Sequence, residues 1–372
     1  MARHRTMADR AVAKPGLAAV AQLIRDLPGG SLAFVMATGV VSIADDLVGR
    51  GDVAEILFAI NLIAFPVLSV ALLLRLVPCP SAFLTELRDD RCGPGLLTIV
   101  AGTSVFGDQI RLLTSHQSVA AGLWLAALAI WTCLIYCLFA VATLKPVKLS
   151  FGGGFDGNWL LVVVATQSLA ILGTGVRKAF GACETVVFIS LCLFLLGGIL
   201  YLVIITLILY RWLFEEMRPE QLTPSYWINM GAAAIATVAA VQLVPAVRAY
   251  PALADTGGFV VGAAVLFWSV ATWWLPLLVA VMVWRHVVGG VALTYRFEYW
   301  SMVFPLGMYT VATFSFAQLV GIAALFLIPR IFLWIAVAAW CVVFFGMLRN
   351  LPPRAFRRIG QEQGARLLVV KI

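Results

Sequence analysis

The side chains that could do chemistry in this chain are few, and they stand at the ends of long apolar runs. Asp45, Asp108, Glu184 and Glu298 are the carboxylates near enough to such runs to take part in proton movement, with Asp108 and Glu298 the leading candidates. Arg111 follows Asp108 by three residues, a spacing at which two side chains pair on one helix face. Asp45 and Asp46 read as solvated. The three histidines, His4, His116 and His286, are terminal or near the ends of apolar runs, so none is placed to ligate a haem within a membrane. There is no H-E-x-x-H pair, phosphate-binding loop or G-x-S-x-G turn, so an enzyme finds no support and no cofactor is expected. The seven cysteines lack paired spacing, and Cys133 and Cys137, which share a helix face, read as packing residues rather than metal ligands.

The elements that must carry these residues are membrane spans. Of 372 residues, 62% are hydrophobic and 12% charged, whereas a soluble domain is about half apolar and about a quarter charged. The apolar blocks are long enough to cross a hydrocarbon layer, which takes about 20 helical residues. None alternates with a period of two, so they are helices and not barrel strands. Breaks at charges, prolines and glycine clusters give ten spans: Gly29 to Ala44, Ile56 to Leu74, Gly93 to Ile110, Ser118 to Thr143, Gly157 to Val176, Thr185 to Tyr210, Tyr226 to Val244, Gly258 to Trp284, Tyr299 to Gln318 and Pro329 to Leu348. Residues 1–28 form an N-terminal segment without a secretory signal, 29–348 the ten-helix membrane domain, and 349–372 a basic tail. All but six of the 26 Lys and Arg fall on the side that holds both termini, the exceptions being Arg50, Arg111, Arg177, Lys178, Arg248 and Arg330. That asymmetry predicts cytoplasmic termini in a plasma-membrane protein, and it accounts for the net charge of +8 without nucleic-acid binding.

Odd and even spans differ in kind. The odd spans are built of small residues interleaved with hydroxyls and amides, while the even spans carry greasy runs suited to lipid tails. Each odd span holds a small residue followed by Thr: Ala37-Thr38, Gly102-Thr103, Ala165-Thr166, Ala236-Thr237 and Ala312-Thr313. A fivefold repeat of helical hairpins explains this, with odd helices inside and even helices outside. The inner helices then either line a path or pack a solid bundle, and composition alone leaves both open. If there is a path, anions would meet the hydroxyls of Thr38, Thr103, Thr166, Thr237 and Thr313 and the backbone near Gly39, Gly102 and Pro305. A threonine that bonds back to its own helix is the competing reading at each position. Pro305 should also kink span 9. Trp159, Trp227 and Trp300 open spans 5, 7 and 9, as interfacial rings do.

The stretches LPGGSLAFVMATGVVSIA (27–44), GLLTIVAGTSVFGDQ (95–109), GNWLLVVVATQSLAILG (157–173), PSYWINMGAAAIAT (224–237) and EYWSMVFPLGMYTVATF (298–314) together resemble the tellurite-resistance and C4-dicarboxylate transporter family. That family includes fungal malate permeases, sulfite efflux pumps and plant slow-type anion channels. The resemblance implies five hairpins around a central pore, a homotrimer in the lipid bilayer, and an anionic small-molecule substrate. It also implies that an aromatic ring of the ninth helix plugs the pore, and the matching residue is Phe304, beside Pro305. Candidate substrates are C4-dicarboxylates, sulfite, tellurite-type oxyanions and small inorganic anions; a proton-coupled carrier is the alternative, and a non-transporting scaffold or a membrane redox enzyme the more distant ones.

Overall fold

A computed structural model describes residues 24–25, 27–76, 80–146 and 155–350; the basic tail beyond 350 and most of the N-terminal segment lie outside these. Ten helices in it are long and apolar enough to cross a membrane: α1 (Gly29–Leu47), α2 (Gly51–Leu76), α3 (Gly93–Leu113), α4 (Gln117–Leu144), α5 (Gly157–Phe180), α6 (Glu184–Phe214), α7 (Pro224–Arg248), α8 (Thr256–Val288), α9 (Phe297–Val320) and α10 (Ala323–Asn350). Several run past the predicted bounds. Asp52, Glu55 and Arg75 belong to α2, and Arg330 to α10, because charges near a helix end reach the interface without breaking the helix. A short helix, Pro80–Arg88, was not foreseen. Its Glu86 pairs with Arg75 at 2.7 Å and accepts the Gly29 backbone N–H at 2.7 Å, so a carboxylate sits at the positive end of α1.

The odd helices are the buried ones. Their apolar windows are 72–94% buried and those of the even helices 11–50%. Helix α1 packs on α3, α3 on α5, α5 on α7, α7 on α9, and α9 back on α1, which closes an inner ring. Each even helix packs on the odd helix before it and also touches the next one round. Every inner helix opens with a 3-10 turn: Gly29–Leu32, Gly93–Leu97, Gly157–Leu160, Pro224–Trp227 and Phe297–Tyr299. The first four of these turns touch in succession, and the fourth touches the fifth, so all five inner helices start at one face and run parallel. Gly157 permits one such contact, since a Cβ there would lie 2.2 Å from the Ser225 carbonyl oxygen.

At least one hydrogen bond ties each outer helix to the next inner helix. Asn61 of α2 donates to Gln109 of α3 at 2.8 Å. Trp131 of α4 donates to the Thr166 hydroxyl of α5 at 3.0 Å, and Tyr201 of α6 to the Asn229 carbonyl of α7 at 3.1 Å. Trp268 of α8 donates to Thr313 of α9 at 3.1 Å. Trp340 of α10 donates to Thr38 of α1 at 3.0 Å, across 302 residues of chain. Around this last junction Phe34, Trp300, Trp340 and Phe344 form an aromatic cluster, with Phe34–Trp300 centroids 4.8 Å apart and Trp340–Phe344 4.6 Å. Trp159, Trp227 and Trp300 are buried against protein rather than turned to the membrane interface. Trp159 stacks on Phe155 and donates to the Asp90 carbonyl at 3.1 Å. These rings sit inside the junctions of the 3-10 turns, where packing area outweighs any interfacial preference.

Candidate functional site

Each inner helix contributes to one small cavity of ≈ 90 Å³. Val40, Ile43 and Leu47 come from α1, Ser104, Asp108 and Leu112 from α3, Ser168 and Ile171 from α5, Ile235, Val238 and Gln242 from α7, and Met308, Val311 and Ser315 from α9. Only an axial position lets one small cavity touch all five helices of a closed ring. Its wall is aliphatic with isolated polar groups. Ser104 is 1% exposed and its hydroxyl has no partner, whereas the Ser168 hydroxyl is bonded to the Ala165 carbonyl of its own helix at 2.8 Å.

Phe304 precedes Met308 by four residues and Val311 by seven, which places it on the cavity-facing side of α9 one turn nearer the start face. It is fully buried. Pro305 beside it packs on α7, where a Cβ on Gly231 would lie 2.8 Å from the proline Cγ. Helix α9 continues through Pro305 without a break, although the proline leaves the Ser301 carbonyl without its helical donor.

The five threonines are placed elsewhere. None lines the cavity. Thr38, Thr166 and Thr313 accept indole N–H groups from outer helices, as described above. Thr103 and Thr237 bond back to the Ile99 and Ala233 carbonyls at 2.7 and 3.0 Å. Gly39 and Gly102 mark close approaches between helices. A Cβ on Gly39 would meet Val105 at 2.6 Å, and one on Gly102 the Leu32 carbonyl oxygen at 3.0 Å. The repeated small-residue–Thr pair is thus part of how the hairpins join. The polar residues that do line the cavity, Ser104, Asp108, Ser168, Gln242 and Ser315, lie within the same small-residue spans. Helical spacing from Phe304, at four, seven and eleven residues, is the signal that would have found the α9 members.

Two larger recesses flank the cavity. At the far face, Arg111, Leu112, Gln117, Thr174, Gly175, Arg177, Lys178, Gln242 and Pro245 line a space of ≈ 530 Å³ with three cations and no carboxylate. Leu112 and Gln242 line this recess and the cavity alike, so the two adjoin. Asp108 faces the cavity and pairs with Arg111 of the recess at 2.6 Å. At the start face, a space of ≈ 620 Å³ is lined by Glu86, Asp156, Glu220 and Glu298 together with Arg91, Arg211 and Arg296. Glu298 is exposed there. Asp156 caps α5 through the Asn158 N–H at 2.9 Å. Burial pushes its carboxyl up to about 6, and Glu298 adds to the rise while Arg91 and Arg211 oppose it. Sequence reading missed Arg211, which is buried and donates to the Phe155 carbonyl and to the Tyr226 hydroxyl, the latter at 3.0 Å. Asp45 is buried and pairs with Arg50 at 3.5 Å, which corrects its reading as solvated; the Arg50 guanidinium covers the Trp334 ring at 4.2 Å.

A multi-pass membrane protein with an inner ring of five parallel helices, one axial cavity and charged recesses at both ends is the class these features define. The chain belongs to the voltage-dependent anion channel (SLAC1) family, which it matches over residues 27–348. It is 40% identical over 152 residues to an uncharacterized membrane protein of Mycobacterium tuberculosis, covering 41% of this chain and 77% of that one. Two uncharacterized transporters of Methanocaldococcus jannaschii are each 23% identical, one over 88% of this chain and 96% of its own length, the other over 78% and 84%. Membership in this family implies anion transport across a membrane.

Proposed function

We propose that anions cross along the axis of the inner ring and that Phe304 closes this path. The observation that carries the reading is the cavity touched by all five inner helices, beneath which Phe304 stands fully buried on the same face of α9. An aliphatic wall with scattered hydroxyls attracts an ion weakly, and weak binding favours passage over retention. At the start face the five parallel helices contribute about half a positive charge each, which draws anions toward a vestibule that otherwise holds both signs of charge. The distribution of Lys and Arg favours a cytoplasmic start face with both termini in the cytoplasm, in a plasma membrane. The family resemblance favours a homotrimer. Substrates in keeping with that resemblance are C4-dicarboxylates, sulfite, tellurite-type oxyanions and small inorganic anions.

A second reading, a proton-coupled carrier, is favoured by one observation, the carboxylate of Asp108 on the cavity wall. Glu298 is the other candidate, on the vestibule. Flux through purified protein in liposomes separates the two readings. Phe304→Ala is compared with wild type for chloride, nitrate, sulfite and malate, with and without a proton gradient. The plugged path predicts a gradient-independent rise of about tenfold or more, equivalent to about 1.4 kcal/mol off the barrier. A folded mutant that is no faster, with wild-type flux that follows the proton gradient, replaces the plug with the carrier.

A further inference from the structure

Beside Leu112 and Gln242, which line both spaces, the axial cavity and the far recess are also bridged by one ion pair, Asp108 on the cavity wall and Arg111 in the recess. Arg111 Nε donates to Oδ1 of Asp108 at 2.8 Å, and Nη2 lies 2.6 Å from the same oxygen. A guanidinium edge is matched by two coplanar oxygens. Asp108 fills it with one. The arginine is seated for the role, because α5 has a glycine beneath it: a Cβ on Gly175 would lie 2.4 Å from Arg111 Nε. Arg177 and Lys178 share the recess, and Arg177 is turned to the Thr174 carbonyl of its own helix at 2.7 Å. One helical turn below Asp108, on the cavity wall, the buried Ser104 hydroxyl has no partner. A built cation with an imperfect internal counter-charge therefore stands next to an unused donor, along the axis.

We propose that Arg111 is the binding group for a planar oxyanion, of carboxylate or nitrate type, at the neck between recess and cavity. Asp108 is the internal anion that occupies Arg111 when the neck is empty. An oxyanion arriving from the recess offers two oxygens to the Arg111 edge and displaces Asp108, and the Ser104 hydroxyl receives it on the cavity side. Asp108 in this role keeps Arg111 from becoming a deep trap, because every bound anion must compete with a carboxylate already in place. The neck thereby prefers planar oxyanions to spherical halides. This rests on the axial transport reading above.

The test uses nitrate and chloride as probes, with two readouts on the full chain: the anion-dependent rise in melting temperature in detergent, and the nitrate-to-chloride flux ratio in liposomes. Arg111→Lys keeps the charge and loses the fork, and is expected to weaken nitrate about tenfold, the scale of one charge-assisted hydrogen bond, with little change for chloride. Asp108→Asn removes the competitor and is expected to tighten nitrate about tenfold while slowing its release. If Arg111→Lys does not fold, Gly175→Ala displaces the guanidinium without altering charge and should lower the nitrate preference in the same way. An unchanged nitrate preference in Arg111→Lys or Gly175→Ala, or an unchanged nitrate affinity in Asp108→Asn, overturns the proposal. Nitrate binding that depends on Arg111 without any flux would instead sink the transport reading and leave the site standing; flux of normal size with no dependence on Arg111 would do the reverse.

Discussion

Replacing Gly231 with alanine tests whether the α7–α9 contact controls the ring at Phe304. The added methyl would lie 2.8, 3.0 and 3.2 Å from Cγ, Cβ and Cα of Pro305. Ordinary carbon contacts begin near 3.4 Å, so α9 must retreat from α7 by roughly half an ångström, because a proline ring cannot swing aside. Overpacking of this kind costs about 1–3 kcal/mol, while the better helix propensity of alanine returns up to about 1 kcal/mol. Gly262 on α8 isolates the second effect. It is exposed and a methyl there meets nothing within 4 Å, so Gly262→Ala gains the propensity without the strain. The two variants should differ by about 1–3 kcal/mol in reversible unfolding from detergent micelles. Since the displaced residue adjoins Phe304, Gly231→Ala should also raise anion leak in liposomes several-fold, and Gly262→Ala should not. Equal stability of the two variants would refute the close contact. A destabilised Gly231→Ala with wild-type flux would refute the link between that contact and closure.

Two further outcomes follow from the structure. Trp340→Phe removes the hydrogen bond to Thr38 together with part of a buried ring, and should cost about 1–3 kcal/mol, with flux unchanged; a loss below about 0.5 kcal/mol would mean that neither the bond nor the ring holds this junction. Asp156, raised to about 6 from 3.8, holds its proton more tightly in the folded state, so its contribution to stability is present below about pH 4 and lost as pH rises through about 6. The loss amounts to at most about 3 kcal/mol. Asp156→Asn retains the α5 cap and should flatten the stability profile between pH 4 and 7; an unchanged profile would place the titration elsewhere.

The alternation of small-residue and greasy spans was legible because two solvents select them. A helix surrounded by other helices keeps Gly, Ala, Ser and Thr, and a helix facing lipid keeps Leu, Phe and Trp. The same pressure hid the site. An inner helix is buried on every side, so its polar residues follow no amphipathic stripe, and Thr38 turned toward Trp340 looks in sequence like Ser104 turned toward the axis. The Asp108–Arg111 pair was visible in its spacing, whereas its position at the neck required the neighbouring α5 and α7. Phe304 could be singled out only through the family resemblance, since its burial is shared by many aromatic residues. Arg211 lay at the end of an apolar run, where a charge reads as a boundary marker, and its acceptors, on Phe155 and Tyr226, belong to other elements 56 and 15 residues away.

Four of the five junctions in the inner ring join helices that follow one another along the chain, but the junction of α1 with α9 and α10 joins its two ends. The Trp340–Thr38 bond and the Phe34, Trp300, Trp340 and Phe344 rings hold that junction with no connecting loop to help them. During synthesis the first hairpin therefore enters the membrane with one flank of α1 unmatched, and lipid or a chaperone must cover it until the last hairpin emerges. On the proposed axial route, no passage for ions forms before that moment. Assembly is a clasp fastened last, and the inner ring is closed only by its final hairpin.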